Sequence, residues 1–163
     1  MIRTATFSDI PAIMRLLQQG FERSHYAKAS HGGGIDQSEA KRLLVQAIQR
    51  HGHKNGGATW VQVAETDGIV SGFILGTLAR VYAIGTHLMA SDLFWITHPM
   101  ADPRDAANLM RSFMEWAKTC PHVIEIKCGT TAIINEDPAE AGKILERLGM
   151  KPYGNLYRME LEA

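Results

Sequence analysis

The sequence contains little cysteine and no excess of charge of either sign. Only Cys120 and Cys128 occur among its 163 residues, and a domain of this length buries enough apolar surface to fold without cross-links. We therefore expect both thiols to be free. Because 17 Lys and Arg balance 17 Asp and Glu, the sequence lacks the positive charge that nucleic-acid binding usually requires.

Other absences narrow the class of protein further. No run of about 18 apolar residues could span a bilayer, and the first residues lack the basic-then-apolar pattern of a signal peptide. The seven histidines include no His-Glu-x-x-His stretch, and no Cys pair lies at metal-ligand spacing, so we expect no native metal site. Together these features predict a cytoplasmic protein without nucleic-acid or membrane partners.

The length and composition are those of one globular domain over residues 1–163, with 45% hydrophobic and 21% charged residues. Apolar residues recur with the period of a strand in some segments and of a helix in others. Strands are predicted at residues 1–6, 59–65, 69–78, 88–97, 123–128 and 156–161. Helices are predicted after Ser8, after Asp36, over residues 106–117, and from Pro138 to Gly149, whereas residues 20–35 are predicted to be irregular.

Two local signals organise these elements into a sheet. Asp67 and Gly68 separate the second and third strands, and this dipeptide is typical of a tight hairpin turn. The fourth strand, the helix over residues 106–117 and the fifth strand form a β-α-β unit, whose two strands should be parallel. The sequence therefore predicts an α/β (α+β) domain with a mixed, mainly antiparallel sheet flanked by helices.

This order of elements resembles the GNAT family of acyl-CoA N-acyltransferases across nearly the whole chain. Residues 2–10 are similar to the family's usual entry from strand to helix, and residues 68–73 resemble its glycine-containing hairpin strand. Glu115-Trp116-Ala117-Lys118 and Leu148-Gly149-Met150 lie where the family often ends its cofactor helix and its last helix. The resemblance implies acetyl-CoA or a related acyl-CoA as co-substrate, a small-molecule or peptide amine as acceptor, and a homodimer. It also implies a V-shaped parting between the two central parallel strands, 88–97 and 123–128.

In the family, the cofactor pyrophosphate binds a glycine-rich loop whose backbone N–H groups converge at the start of a helix. The corresponding loop here, Met100 to Ala107, departs from that pattern: Arg104 replaces the first glycine, and Asp102 and Asp105 add negative charge. The resemblance implies the following cofactor-binding residues: Thr97, Arg104, Asp105, Ala106 and Ala107. Two interpretations of Arg104 stay open, because its guanidinium could donate bidentately to phosphate or pair with a nearby acid in solvent.

The catalytic groups are less clearly marked. Leu145 stands where the family commonly has a tyrosine that protonates the departing thiolate, so Tyr153 and Tyr157 are candidate replacements. Of three strand carboxylates, Asp92 is the first candidate for the general base, before Glu65 and Glu125. Alternation along the strand does not tell whether Asp92 points inward, so an ordinary solvated carboxylate is the alternative.

Two functions follow from these residues. The first is an N-acyltransferase in which an amine attacks the thioester directly. The alternative is a GNAT-fold binding or assembly module without turnover, which the altered loop and Leu145 favour. The segment from Phe21 to Ile35, where family members differ most, contains no acidic patch, so polycationic acceptors are disfavoured.

Overall fold

The computed structural model of the chain describes residues 1–130 and 138–161. Its strands are, in chain order, β1 Ile2–Thr4, β2 Thr59–Thr66, β3 Ile69–Arg80, β4 Leu88–Thr97 and β5 Val123–Lys127. Its α-helices are α1 Ile10–Arg23, α2 His25–Ala29, α3 Gln37–Gln49, α4 Asp105–Thr119 and α5 Pro138–Arg147. None of the helices in these described segments is long and apolar enough to cross a membrane.

The five strands form one sheet in the order β1-β2-β3-β4-β5. All neighbouring pairs are antiparallel except β4 and β5, which are parallel as the β-α-β unit predicts. The hairpin between β2 and β3 is confirmed: Asp67 and Gly68 both have positive φ, 50° and 77°, the combination that a type I′ turn requires. The sheet is thus mixed and mainly antiparallel.

Helices cover both faces of the sheet, and alternation along the strands divides the core into two parts. Phe73 and Leu75 of β3 pack with α1 and α3 on one face, whereas Ile74 and Leu78 pack with α4 and α5 on the other. Gly76, also on the α4 face, lies against a ring: a Cβ built there would be 2.1 Å from Cε2 of Phe113. The buried aromatic ring therefore occupies the space that any side chain at this position would need.

The helical segment after β1 is longer than the sequence predicts. Residues 20–35 are predicted to be irregular, but α1 continues to Arg23 and α2 follows after one extended residue, Ser24. Gly20 is buried within α1 and does not end the helix. Ser24 has φ −87° and ψ 160°, and its hydroxyl donates to the carbonyl of Phe21 at 2.7 Å. The chain therefore turns between two helices where a loop is predicted.

The terminal segment is a second correction. A strand is predicted over residues 156–161, but residues 151–161 carry no regular secondary structure and are exposed. The end of the segment lies near α2, because Glu160 is 3.0 Å from Nε2 of His25 and the carbonyl of Leu161 is 3.3 Å from Nε2 of His31. An alternating pattern only sorts side chains onto two faces, whereas a strand also needs backbone bonds to a neighbour. The prediction was wrong because no such pairing forms among the residues that the structure describes.

Candidate functional site

The parallel strands β4 and β5, the last pair in the described sheet, part after Ser91. Their pairing runs from Leu88↔Val123 to Ser91↔Lys127 and ends there. Beyond this point, among the described residues, β4 pairs with β3 alone. The predicted V-shaped parting is therefore confirmed. It opens backbone and side chains of the second half of β4 toward the residues that follow β5.

A bulge in β4 determines which way Asp92 points. Gly76 pairs with Asp92 and Leu75 with Phe94, so Leu93 is left without a partner on β3. Cross-strand partners share a face of the sheet, and Gly76 faces Phe113 of α4, so Asp92 faces α4 as well. Phe94 packs on the opposite face, with α1 and α3. Without the extra residue, Asp92 and Phe94 would point to the same side.

Asp92 spans the parting. Its Oδ1 accepts a hydrogen bond from the backbone N–H of Gly129 at 3.3 Å, on the far side of the gap. Burial raises the pKa of the Asp92 carboxyl above its ordinary value, and this Gly129 bond offsets only part of the effect. Of the other two candidate bases, Glu125 is exposed on β5, and Glu65 is paired with the guanidinium of Arg3. Asp92 is thus the carboxylate of the three that lies in the parting.

Cys128 lies beside Asp92, and both cysteines are free, as the sequence predicts. Burial, together with the neighbouring Asp92 charge, raises the pKa of the Cys128 thiol to about 12. Its Sγ is 3.6 Å from Sδ of Met110 on α4. A protonated thiol packed against a thioether is consistent with the expected small hydrophobe. Its closeness to Asp92 has no signal in the sequence.

A cavity of about 670 Å³ opens from the parting toward α1 and α3. Asp92, Leu93 and Trp95 line it from β4, and Gly129 and Thr130 line it after β5. The opposite wall comes from the first three helices and the turn between them: Leu17, Gly20, Phe21, Ser24, Tyr26, Ile35, Asp36, Glu39, Ala40, Arg42 and Leu43. Phe21, Ser24, Tyr26 and Ile35 of this wall belong to residues 21–35, the segment that the sequence associates with the acceptor.

Arg104 forms an ion pair with a nearby acid, Asp102, as the second of the two interpretations of this residue predicts. Its Nε and Nη2 donate to Asp102 at 3.1 and 2.9 Å, and Asp102 Oδ1 also accepts the backbone N–H of Arg104 at 2.9 Å. These bonds lower the pKa of Asp102 to about 2. The Arg104 side chain is 83% exposed, so its guanidinium remains accessible from solvent. Both residues lie at the start of α4.

The other candidate cofactor residues lie around the same helix start. Asp105 is buried, with the Ser71 hydroxyl 3.5 Å from its Oδ2. Trp95 Nε1 donates to the carbonyl of Ala106 at 2.9 Å, which ties β4 to α4. In the described part of the chain, the backbone N–H groups of Ala106 and Ala107 have no hydrogen-bond partner. Two donors at a helix start are therefore available to an anion.

Thr97 and the two tyrosines occupy different places. Thr97 is the last residue of β4 and pairs with Gly72 of β3. It lies at the end of β4 from which the chain leads to α4. Tyr153 is 71% exposed, with Nζ of Lys127 5.5 Å from its ring centroid, and Tyr157 is 92% exposed. Neither tyrosine lines the cavity. Leu145 is buried in the core beside α4, so the position of the family's tyrosine contributes packing here.

Comparisons with known proteins support the fold. No protein-family model and no curated protein matches the sequence. Among solved structures, a ribosomal-protein-alanine N-acetyltransferase from Brucella melitensis is similar with TM-score 0.71 and 18% identity, over 94% of this chain and 86% of that one.

Two further solved structures are similar over 99% of both chains. An acetyltransferase from Trypanosoma brucei has TM-score 0.66 and 14% identity. A transcriptional regulator from Bacillus halodurans has TM-score 0.69 and 17% identity. The chain therefore has the fold of the GNAT acetyltransferases.

Proposed function

We propose that this protein transfers an acyl group from acyl-CoA to an amine. The observation that carries the proposal is the parting of β4 from β5 after Ser91, with the Asp92 carboxylate inside the gap and the cavity opening from it. Similar solved structures include acetyltransferases with this fold, which makes acyl transfer the first function to test.

The residues at the start of α4 fit the diphosphate of an acyl-CoA. The unpaired N–H groups of Ala106 and Ala107 are donors at the positive end of a 15-residue helix. The exposed guanidinium of Arg104 adds a cation that can turn from Asp102 toward a phosphate. Asp102 opposes this role, because its carboxylate competes for the same guanidinium. We therefore expect binding through backbone donors, tuned by this ion pair.

Asp92 is suited to take a proton from the amine. An amine attacks a carbonyl carbon only after it has lost its extra proton, and a carboxylate whose pKa is raised by burial accepts that proton more readily than an exposed one. As the new N–C bond forms and the C–S bond breaks, the departing thiolate needs a proton. Leu145 cannot supply it, and neither Tyr153 nor Tyr157 lines the cavity, so another proton donor or solvent water supplies it.

The test measures release of CoA thiol with a thiol-reactive dye, using acetyl-CoA and a panel of amines. Asp92→Asn should lower kcat/KM by about 10²- to 10⁴-fold, the usual contribution of a general base. Glu125→Gln is the matched control, because it neutralises an exposed carboxylate on the adjacent strand. Equal activities of the wild type and Asp92→Asn would remove Asp92 from the reaction. No release with any amine would contradict acyl transfer.

The second candidate function is a binding module without turnover. It is favoured by Leu145, which fills the core where a proton donor would be needed, and by Asp102, which already holds Arg104. Calorimetry with acetyl-CoA and with desulfo-CoA distinguishes the two functions. Tight binding of both molecules without thiol release from acetyl-CoA supports the module, whereas release supports the enzyme.

A further inference from the structure

The cavity beside the parting has mainly apolar walls. Its volume of about 670 Å³ is within the usual range for small-ligand sites. Aromatic and large aliphatic side chains dominate its lining: Leu17, Phe21, Tyr26, Ile35, Leu43, Leu93, Phe94, Trp95 and Ile96. Such a lining favours a ligand with an apolar body, because each buried apolar group gains free energy on leaving water.

Four charged residues also line the cavity, and three of them are engaged with one another or with the helix backbone. Asp36 accepts the backbone N–H of Glu39 at 2.9 Å and so caps α3. Glu39 accepts from Nε and Nη2 of Arg42 at 3.1 and 2.6 Å. Their charges are therefore already compensated at the α3 end of the cavity.

Asp92, the fourth, has no cationic partner among the described residues. Across the gap it accepts the Gly129 N–H at 3.3 Å, it lies beside the Cys128 thiol, and no salt bridge in the described segments includes it. A carboxylate largely removed from water costs free energy unless a cation or several donors compensate it. The cavity thus combines one carboxylate that lacks a cationic partner among the described residues with an apolar wall.

We propose that this cavity binds a primary amine attached to an apolar, aromatic or branched aliphatic body. The ammonium group pairs with Asp92 in the parting, and the body extends through the gap to lie against Phe21, Tyr26 and Phe94 on the α1 and α3 side of β4. This proposal rests on the proposed function only in naming the ligand as the acyl acceptor, since binding itself needs no acyl-CoA. A polyamine is disfavoured because its second ammonium would enter an apolar region without a free carboxylate.

The test is calorimetric titration of the whole protein at neutral pH without acyl-CoA. The four probes are phenethylamine, its neutral analogue 2-phenylethanol, the polyamine spermidine and the apolar acid 3-phenylpropanoate. Phenethylamine should bind at least about tenfold more tightly than each of the others, the scale of one hydrogen bond to a charged group. Equal binding of the alcohol would overturn the role of the carboxylate. Tighter binding of spermidine or of the acid would overturn the proposed ligand class.

Two substitutions separate the charged and apolar parts of the site. Asp92→Asn should reduce phenethylamine affinity to that of the alcohol, whereas Phe21→Ala should weaken both probes by a similar factor. Glu125→Gln, outside the cavity, should leave both affinities unchanged, and far-ultraviolet circular dichroism checks that each variant is folded. Equal loss of the alcohol and the amine in Asp92→Asn would contradict the ion pair.

These experiments distinguish failure of the proposed ligand class from failure of the proposed acyl transfer. If phenethylamine binds through Asp92 but no amine releases CoA thiol, acyl transfer fails and the ligand class stands. If spermidine is acylated and phenethylamine neither binds nor reacts, the enzyme stands and the ligand class fails.

Discussion

Asp92 and Gly129 are joined by a backbone-to-carboxylate hydrogen bond of 3.3 Å across the gap between β4 and the end of β5. Asp92 follows Ser91, the last residue of β4 that pairs with β5. Its side chain therefore bridges the two strands at the point where their backbones are no longer paired. This position keeps the carboxylate largely out of water and near the thiol of Cys128. The same position explains both its proposed reactivity and its cost to stability.

Because the buried Asp92 carboxylate lowers stability, Asp92→Asn should stabilise the protein in a pH-dependent way. Burial raises the Asp92 pKa in the folded protein above the unfolded value of about 3.9. Between these two values the folded state binds more protons, so the contribution of Asp92 to stability falls as pH rises and stays unfavourable above the folded pKa. The substitution should raise Tm at pH 7 and leave it nearly unchanged below pH 4. Thermal unfolding at both pH values checks this, and an equal loss of Tm at both would contradict it.

Gly76→Ala should destabilise the protein by about 1–3 kcal/mol, the usual cost of overpacking a core. The new Cβ would lie 2.1 Å from Cε2 of Phe113, whose ring is fully buried. Gly56→Ala is the control, because its nearest neighbour, Cδ2 of Leu88, would be 3.8 Å away. Urea unfolding measures both. If Phe113→Leu added to Gly76→Ala restores no stability, the ring is not the cause.

The ion pair of Arg3 with Asp9 predicts loss of stability in acid. Nη1 and Nη2 of Arg3 each donate to Asp9 at 2.8 Å, and these bonds lower the pKa of Asp9 to about 2. A lowered folded pKa stabilises the protein above the unfolded value of about 3.9, and the contribution disappears as pH falls to about 2.

Asp9→Asn should therefore cost about 2 kcal/mol at pH 7 and flatten the decline in stability between pH 4 and pH 2. Urea unfolding across this range measures the difference. Glu39→Gln is the comparison, because its exposed ion pair with Arg42 should contribute little. If the stability of Asp9→Asn falls between pH 4 and pH 2 as much as that of the wild type, other carboxylates cause the decline.

The ion pair of Arg104 with Asp102 should modulate acyl-CoA binding. Asp102→Asn frees the guanidinium and removes a negative charge near the start of α4, so acetyl-CoA should bind several-fold more tightly at low salt. Arg104→Ala should weaken binding, and both effects should shrink at high salt. Calorimetry measures them, with Arg111→Ala, further along α4, as the control. Tighter binding by Arg104→Gly would instead mean that this side chain obstructs the site.

Features that depend on neighbouring residues could be predicted from the sequence. The Asp67-Gly68 turn needs only two residues that tolerate positive φ, and the α3 cap needs only the Asp36 carboxylate and the Glu39 N–H. The β-α-β unit also agrees with the pattern, whereas the incomplete pairing of its strands was implied by the family resemblance. The turn, the cap and the β-α-β unit are local or follow from the order of elements, so periodicity and turn residues were enough to predict them.

The candidate site depended on relationships that periodicity does not contain. The direction of Asp92 follows from a bulge opposite β3, and strict alternation cannot locate such an extra residue. Arg104 has two chemically reasonable partners, and only the path of the loop places Asp102 within its reach. The alternating residues 156–161 fail as a strand because pairing needs a neighbour as well as a pattern.

Apart from α2 and the terminal segment, the sequence by itself determined the order of elements, the apolar faces of the long helices and the identity of the chemical groups, because these depend on local spacing and residue type. Only the tertiary structure decided that Asp92 lies in the parting, beside Cys128 and opposite the apolar wall of α1 and α3. That arrangement brings together segments far apart in the chain. It depends on strand register and on the packing of α4 against Gly76, which no single segment encodes.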